Sequence, residues 1–176
     1  MRLLALTLAG SLAVLGGLDA QGRPGAADPR LVVETAKGTI AIRLFPADAP
    51  KSVDHILGLV KRNFYRGLRI HRVTSALAQF GDPLTRDMSR KGYWGSGGSG
   101  NPIGVAELSK RLTHQRGTVA LAHGGAPTIA DSQLYIMKTA SPSLDGKHAI
   151  IGQVTSGMDV VDRLAVADLI KQISVK

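Results

Sequence analysis

The sequence contains no cysteine in 176 residues. This excludes a disulfide, a thiol nucleophile, a cysteine-ligated metal and a lipid attached to a signal-peptide cysteine. An oxidising compartment is therefore compatible with the chain, but its composition does not require one.

Aromatic residues make up only 4% of the chain, and 13 acidic residues face 22 basic ones, which leaves a net charge of +9. Such a charge attracts nucleic acid and acidic surfaces at long range. The basic residues are scattered, however, and the densest groups are the single pairs 61–62 and 110–111. Proteins that bind single-stranded nucleic acid stack bases on aromatic side chains, so a basic nucleic-acid-binding barrel is a poor alternative.

The chain also lacks an apolar run of the roughly 20 residues that a membrane-spanning helix needs. The longest candidate, residues 3–18, is shorter, contains three glycines and follows the positive Arg2. A charged start, an apolar run and the small Ala20 are typical of a signal peptide. We therefore expect residues 1–20 to be a signal peptide, the mature chain to start near Gln21, and the protein to be exported to a periplasm or secreted.

The remaining length, with 44% hydrophobic residues overall, suits one packed domain and is too short for two. Residues 21–30 are rich in Gly, Ala and Pro without apolar periodicity, which predicts a flexible lead-in. We expect the folded domain to cover residues 31–176.

Short β-rich runs dominate this domain. Residues 31–34 and 39–44 predict a hairpin, and further strands are expected near residues 118–122, 133–137, 149–154 and 169–175. Apolar residues at helical spacing predict a helix after Pro50 with Asp48 as its N-cap, and residues 158–164 predict a second, short helix. Many short strands without strand-helix alternation favour a closed antiparallel β-barrel.

The segment from residue 69 to 82, RIHRVTSALAQFGD, carries two polar side chains, Arg72 and Gln79, on two predicted strands. Arg72 offers planar, permanently charged donors, and Gln79 offers both a donor and an acceptor. Such a pair can hold one peptide unit of a bound chain, although an arginine on a strand is more often simply solvated.

Two later stretches give this pair a context: HGGAPTIADSQLYIM at residues 123–137 and SLDGKHAIIGQV at residues 143–154. Together with HRV, Gln79 and the Gly-Asp pair at residues 81–82, they resemble the cyclophilin-type peptidyl-prolyl cis-trans isomerases from about Leu31 onward. The resemblance implies a closed cyclophilin-like β-barrel of about eight antiparallel strands capped by two α-helices. It also implies a cofactor-free monomer that isomerises X-Pro bonds in unfolded or flexible protein segments and so assists folding.

The resemblance further assigns the residues of the site. Arg72, Gln79 and His148 are the implied catalytic residues. The implied substrate-binding residues are His71, Leu77, Ala78, Phe80, Gly97, Gly98, Ala122, His123, Gln133, Tyr135 and Leu144.

This chain departs from the family pattern around the proline pocket. The stretch between Arg72 and Gln79 is one residue shorter than usual, and residues 76–78 replace a segment that carries a large aromatic and a methionine. Tyr135 replaces a phenylalanine, Ser143 an aromatic residue, and His123 an asparagine. A catalytically weak, Pro-peptide-binding or chaperone-like module on the same barrel therefore remains the main alternative.

Other chemistries find less support in the sequence. The five histidines show no metal-ligand spacing, so no metal site is expected. A Ser-His-Asp hydrolase would need a G-x-S-x-G elbow, and a phosphate loop would need a Gly-Lys-Ser/Thr after the glycine-rich run at residues 94–104. Both motifs are absent from the chain.

Overall fold

The structure is a computed structural model that describes residues 28–176. The predicted signal peptide and most of the lead-in lie outside these residues. The strands are β1 (Arg30–Thr35), β2 (Gly38–Leu44), β3 (Arg72–Val73), β4 (Leu77–Phe80), β5 (Thr118–Leu121), β6 (Leu134–Met137), β7 (Ile150–Ser156) and β8 (Ile170–Val175). The helices are α1 (Pro50–Lys61) and α2 (Met158–Arg163), and short 3₁₀ helices cover Pro83–Arg86, Met88–Tyr93, Pro127–Ile129 and Pro142–Leu144.

All eight strands belong to one antiparallel sheet in the order β3-β4-β6-β5-β7-β2-β1-β8. The sheet curls, and its two ends approach each other where Arg69 and Leu169 form an isolated bridge. The prediction of a mainly β, eight-stranded antiparallel fold is confirmed. The prediction of a closed barrel is confirmed only in part. Strands β3 and β8 are the two edges of the sheet, and they do not pair with each other; the Arg69–Leu169 bridge lies just before each of them.

The first hairpin shows how local sequence sets the register. Ala36 and Lys37 form its two-residue turn, and Thr35 pairs with Gly38. The Thr35 hydroxyl donates to the Gly38 carbonyl oxygen at 2.8 Å and accepts from the Lys37 amide at 3.0 Å. Gly38 has a φ of +136°, and a Cβ there would lie 2.9 Å from Val160 of α2, so this position favours glycine in two ways.

Helix α1 buries the apolar stripe that the sequence predicts, but its N-terminus is capped differently. Ala49 occupies the N-cap position and makes no side-chain cap. The Glu107 carboxylate instead accepts from the backbone amides of Lys51 and Ser52, at 3.0 and 2.7 Å. The prediction that Asp48 is the N-cap is therefore wrong, since its carboxylate pairs with Arg111 at 2.8 Å.

The two faces of the sheet bury different sets of side chains. One face packs with α1 and α2 into the main core. On the other face, Leu77, Ala120, Tyr135, Met137 and Ile150 form a second, smaller apolar cluster. Within residues 28–176, no helix is both long and apolar enough to cross a membrane.

Candidate active site

One cross-strand row places the main polar groups side by side. Arg72 of β3 pairs with Gln79 of β4, Gln79 pairs with Tyr135 of β6, and Tyr135 pairs with Ala120 of β5. Directly opposed residues of an antiparallel sheet point to the same face. The register of three strand pairs therefore brings an arginine, an amide and an aromatic ring to one surface.

A chain of hydrogen bonds orients the polar part of this row. The Gln133 amide nitrogen donates to the carbonyl oxygens of Gly95 and Gly97, at 2.9 and 2.7 Å. Its oxygen is thus left to accept from the Gln79 amide nitrogen at 2.9 Å. The Gln79 oxygen consequently faces Arg72 and accepts from its Nη1 at 3.3 Å. Both amides have a defined orientation because the backbone carbonyls can only accept.

The glycine-rich loop after residue 94 is held from below by Asp82, which is fully buried. One Asp82 oxygen accepts from the Leu84 amide at 2.7 Å, and the other accepts from the amides of Gly95 and Gly97 at 2.5 and 3.2 Å. A Cβ on Gly97 would collide with this carboxylate, which explains the glycine there.

A second carboxylate, Asp131, holds the far end of the same loop. Its oxygens accept from the Ser99 hydroxyl at 2.5 Å and from the Gly100 amide at 3.0 Å. His55 of α1 contacts it at 3.1 Å, so the helix is tied to the loop. A Cβ on Gly98 would lie 2.6 Å from an Asp131 oxygen.

The smaller apolar cluster lies next to the polar row. Tyr135 belongs to both, and Leu77 and Met137 are paired two residues further along the same strands. Leu112, Ala122 and Leu144 pack against the edge of the cluster. The five clustered side chains are themselves buried, at 0–7% exposure, so the apolar surface that remains accessible is this partly buried edge.

Beneath this cluster, the wholly buried His114 joins two other groups. Its Nδ1 contacts the Asp145 carboxylate at 2.8 Å, and its Nε2 contacts the Tyr135 hydroxyl at 2.9 Å. Hydrogen bonds from the His114 backbone amide and ring lower the pKa of Asp145. Burial, with the nearby Asp145 charge, raises the pKa of Tyr135, so its hydroxyl stays protonated. The Tyr135 hydroxyl is thereby turned away from the apolar surface.

His148 packs against the Tyr135 ring, and His123 packs against His148. The two imidazoles stack with ring centroids 4.2 Å apart, and the edge of His148 meets Tyr135 at 5.6 Å. His148 Nδ1 donates to the Leu121 carbonyl oxygen at 3.1 Å, and His123 Nε2 donates to the Lys147 carbonyl oxygen at 2.9 Å. Partial burial lowers the pKa of His148, which favours the neutral ring. Among residues 28–176, no group of His, Asp or Glu side chains is arranged to hold a metal.

An open cavity of about 630 Å³ adjoins the polar row. Its lining includes Gln79, Gln133, Gly97, Ala122 and His123. The site thus combines a guanidinium on the surface, two oriented amides, an apolar cluster and an adjacent open cleft. This combination can bind and distort a peptide, but it contains no activated nucleophile.

The sequence of this domain matches a protein family over nearly its full length. The family described as "Cyclophilin type peptidyl-prolyl cis-trans isomerase/CLD" matches residues 30–175. The chain belongs to this family. It is accordingly an enzyme that interconverts the cis and trans isomers of peptidyl-prolyl bonds.

Two bacterial relatives named as peptidyl-prolyl cis-trans isomerases are similar to this chain over most of its length. It is 35% identical to a peptidyl-prolyl cis-trans isomerase of Helicobacter pylori, over 80% of this chain and 83% of that protein. It is 37% identical to a probable peptidyl-prolyl cis-trans isomerase of Brucella suis, over 93% of this chain and 86% of that protein.

Solved cyclophilin structures share the fold at lower identity. A cyclophilin of Cryptosporidium parvum, crystallised in the presence of the dipeptide Ala-Pro, superposes with a TM-score of 0.72 and 22% identity. The match covers 84% of this chain and 98% of that one. A cyclophilin from Hirschia baltica superposes with a TM-score of 0.67 and 22% identity, over 85% of this chain and 74% of that one.

Most of the predicted site residues lie in one region of this cyclophilin. Arg72 and Gln79 are in contact, and His148 lies beyond Tyr135 on the same side of the sheet. The predicted binding residues on this side are His71, Leu77, Gly97, Gly98, Ala122, His123, Gln133, Tyr135 and Leu144.

Ala78 and Phe80 do not lie in this region. Their side chains are 0% and 1% exposed in the main core, and Phe80 packs edge-on against Tyr65 at 6.2 Å. Strand residues alternate between faces, so the neighbours of Gln79 must point away from the face that Gln79 occupies. The prediction that Ala78 and Phe80 bind the substrate therefore does not fit this structure, where both side chains face the main core.

Sequence reasoning missed several residues that build the site. Met137 contributes to the apolar cluster, and its alternation with Tyr135 on β6 is a signal that could have identified it. Asp131 and His114 act through partners 21 to 76 positions away, and no local pattern identifies such contacts.

Proposed function

We propose that this cyclophilin accelerates prolyl isomerisation by donating a hydrogen bond from Arg72 to the prolyl nitrogen of the twisted peptide. Rotation about a peptide bond has a barrier of roughly 18–20 kcal/mol because resonance gives the C–N bond partial double character. In the twisted state the nitrogen loses conjugation and gains a lone pair that can accept. A donor placed at that nitrogen stabilises the transition state more than either planar isomer.

The observation that carries this proposal is the hydrogen-bonded chain from Arg72 through Gln79 to Gln133. In this chain the Arg72 Nη1 donates to Gln79, and the other N–H groups of the guanidinium have no side-chain partner within residues 28–176. This arrangement supports Arg72 as a donor to the substrate. It also supports a role for Gln79 in holding the peptide carbonyl side, since Gln133 sets the direction of its amide. The pyrrolidine ring would lie at the partly buried edge of the apolar cluster, beside Leu77 and Tyr135, with His148 next to it.

The magnitude of one such bond limits what Arg72 can supply alone. Hydrogen bonds to charged groups contribute about 1.5–3 kcal/mol, whereas each tenfold in rate requires about 1.4 kcal/mol. One bond therefore accounts for roughly one to two powers of ten in rate. The shape of the apolar cluster must supply the remainder by favouring the twisted chain.

We also propose that the substrates are Pro-containing segments of unfolded or flexible proteins, bound by a monomer without a cofactor. The related Cryptosporidium parvum cyclophilin was crystallised in the presence of Ala-Pro, which supports a proline residue as the recognised unit. The cleft is open, and five of its thirteen lining residues are glycines, which allow the backbone of an extended chain to approach closely.

Exchange NMR on a short Ala-Pro peptide tests this function directly. We expect catalytic amounts of the domain to broaden or exchange the cis and trans proline signals, because uncatalysed interconversion takes tens to hundreds of seconds. Chemical-shift changes on the protein report binding separately. Saturable binding without faster interconversion would contradict the proposal and support a peptide-binding module instead.

We further propose that the protein is exported, on the basis of Arg2, the apolar run at residues 3–18 and the small Ala20. When the full chain is expressed in a bacterium, the soluble exported material should start near Gln21. Intact-mass measurement and N-terminal sequencing check this, and an Ala20→Arg variant should stay uncleaved. Soluble cytoplasmic protein that retains Met1 would contradict export.

A further inference from the structure

A second open cavity adjoins the first, and the two share Gln79, Gly95 and Ser96 in their lining. Its volume is about 530 Å³, and its lining includes His71, Arg72, Tyr93, Trp94 and Gly95. Arg72 therefore belongs both to the proposed catalytic row and to this cavity. A peptide that crosses Arg72 passes the entrance of the cavity without leaving the protein surface.

The two aromatic side chains Tyr93 and Trp94 are presented by a short, hydrogen-bonded turn. Tyr93 ends the 3₁₀ helix Met88–Tyr93, and the Tyr93 carbonyl oxygen accepts from the Ser96 amide and hydroxyl. The Trp94 indole nitrogen donates to the Asp87 carbonyl oxygen at 3.2 Å, which fixes the ring. The Tyr93 side chain is nevertheless 68% exposed. The turn thus holds a large aromatic ring in solvent beside Arg72.

His71 lines the same cavity. Both of its ring nitrogens are shielded from solvent and have no hydrogen-bond partner among the described residues. Its Cδ2 would lie 3.4 Å from a Cβ on Gly95, so the ring closely approaches the loop. Burial lowers the pKa of His71, which favours a neutral aromatic ring over a cation.

We propose that this cavity, which we call the Tyr93 subsite, binds an aromatic side chain of the client next to its X-Pro pair. The proposal rests on the proposed function, because it requires the client to lie across Arg72 and Gln79. Tyr93, Trp94 and His71 present three aromatic rings, and Arg72 supplies a guanidinium that packs on aromatic faces. Its occupant is the substrate itself, since both cavities share Gln79, Gly95 and Ser96.

Tryptophan fluorescence, excited selectively over that of the three tyrosines, reports from this subsite, because Trp94 is the one tryptophan of the chain. Three peptides serve as probes: Ala-Ala-Pro-Ala, Phe-Ala-Pro-Ala and Ala-Ala-Pro-Phe. We expect one of the Phe peptides to change Trp94 emission and to bind about three- to tenfold tighter than the Ala peptide. A peptide with Glu in place of Phe separates ring stacking from simple attraction to the Arg72 charge. We expect it not to bind more tightly than the Ala peptide.

Variants at one residue then locate the effect. Tyr93→Ala should reduce the preference for the Phe peptide to about one, while the exchange rate of the Ala peptide stays within about twofold of wild type. Tyr93→Phe keeps the ring and should keep the preference. Met88→Ala is the matched control, because Met88 is 49% exposed on the same 3₁₀ helix but does not line the cavity.

The outcomes separate this proposal from the proposed function. Unchanged Trp94 emission at saturating Phe peptide, or an equal Phe preference in wild type and Tyr93→Ala, would overturn the Tyr93 subsite even in an active enzyme. A Glu peptide that gains as much as the Phe peptides would overturn the aromatic preference. A protein that discriminates the Phe peptide but isomerises none would keep the subsite and contradict the proposed function.

Discussion

Arg72→Ala is expected to lower the rate constant for interconversion of a bound Ala-Pro peptide by about tenfold or more, or at least about 1.4 kcal/mol of transition-state stabilisation. The substitution removes both the charge and the planar donors. Peptide affinity should fall less than the rate, because the hydrogen bond to the prolyl nitrogen is strongest in the twisted state.

Arg72→Lys separates charge from geometry. Lysine keeps a positive charge, but its ammonium is compact and strongly hydrated and lacks the rigid fork of the guanidinium. It also cannot donate to Gln79 and the substrate in the same arrangement. We therefore expect the lysine variant to recover only a small part of the lost rate.

Line-shape or exchange NMR on the Ala-Pro peptide gives binding and interconversion in one titration, and circular dichroism checks that each variant is folded. Arg90→Ala is the control for the loss of one positive charge, since Arg90 is exposed on the neighbouring 3₁₀ helix and does not line either cavity. Wild-type interconversion in folded Arg72→Ala would remove Arg72 from the mechanism.

Tyr135→Phe should cost about 1–3 kcal/mol of unfolding free energy, because it leaves the buried Nε2 of His114 without a partner. Phenylalanine is nevertheless the residue that the family resemblance leads one to expect at this position. The ring remains in the apolar cluster, so interconversion of a bound Ala-Pro peptide should change by less than about twofold. Stability and activity should therefore separate at this residue.

A double-mutant cycle isolates the hydroxyl–imidazole contact. His114→Leu leaves the Tyr135 hydroxyl unpaired, and the double variant leaves neither group orphaned at this contact. Urea denaturation of the four proteins should give a double loss smaller than the sum of the single losses, by about 1 kcal/mol or more. Strict additivity would show that the contact contributes nothing to stability.

The site shows where strand alternation and family resemblance lead to different conclusions. Resemblance assigns Ala78, Gln79 and Phe80 together to the substrate, although consecutive strand residues cannot all face one side. In the structure the Gln79 side chain lies in the active site, and the side chains of Ala78 and Phe80 lie in the main core. A stricter use of the two-residue period would have excluded both from the sequence alone.

The sequence by itself determined the elements whose signals are local: the β1–β2 hairpin, the buried stripe of α1, and the two short strands that carry Arg72 and Gln79. These features depend on turn residues and on apolar periodicity, and both can be read from residues that are close together in the sequence.

Only the tertiary structure decided which distant groups complete the site. Glu107 replaces Asp48 at the N-terminus of α1, Asp82 and Asp131 hold the glycine-rich loop, and His114 joins Asp145 to Tyr135. In each case a buried or partly buried polar group takes the partner that the packed chain brings within reach, because leaving it unpaired costs more than any local preference.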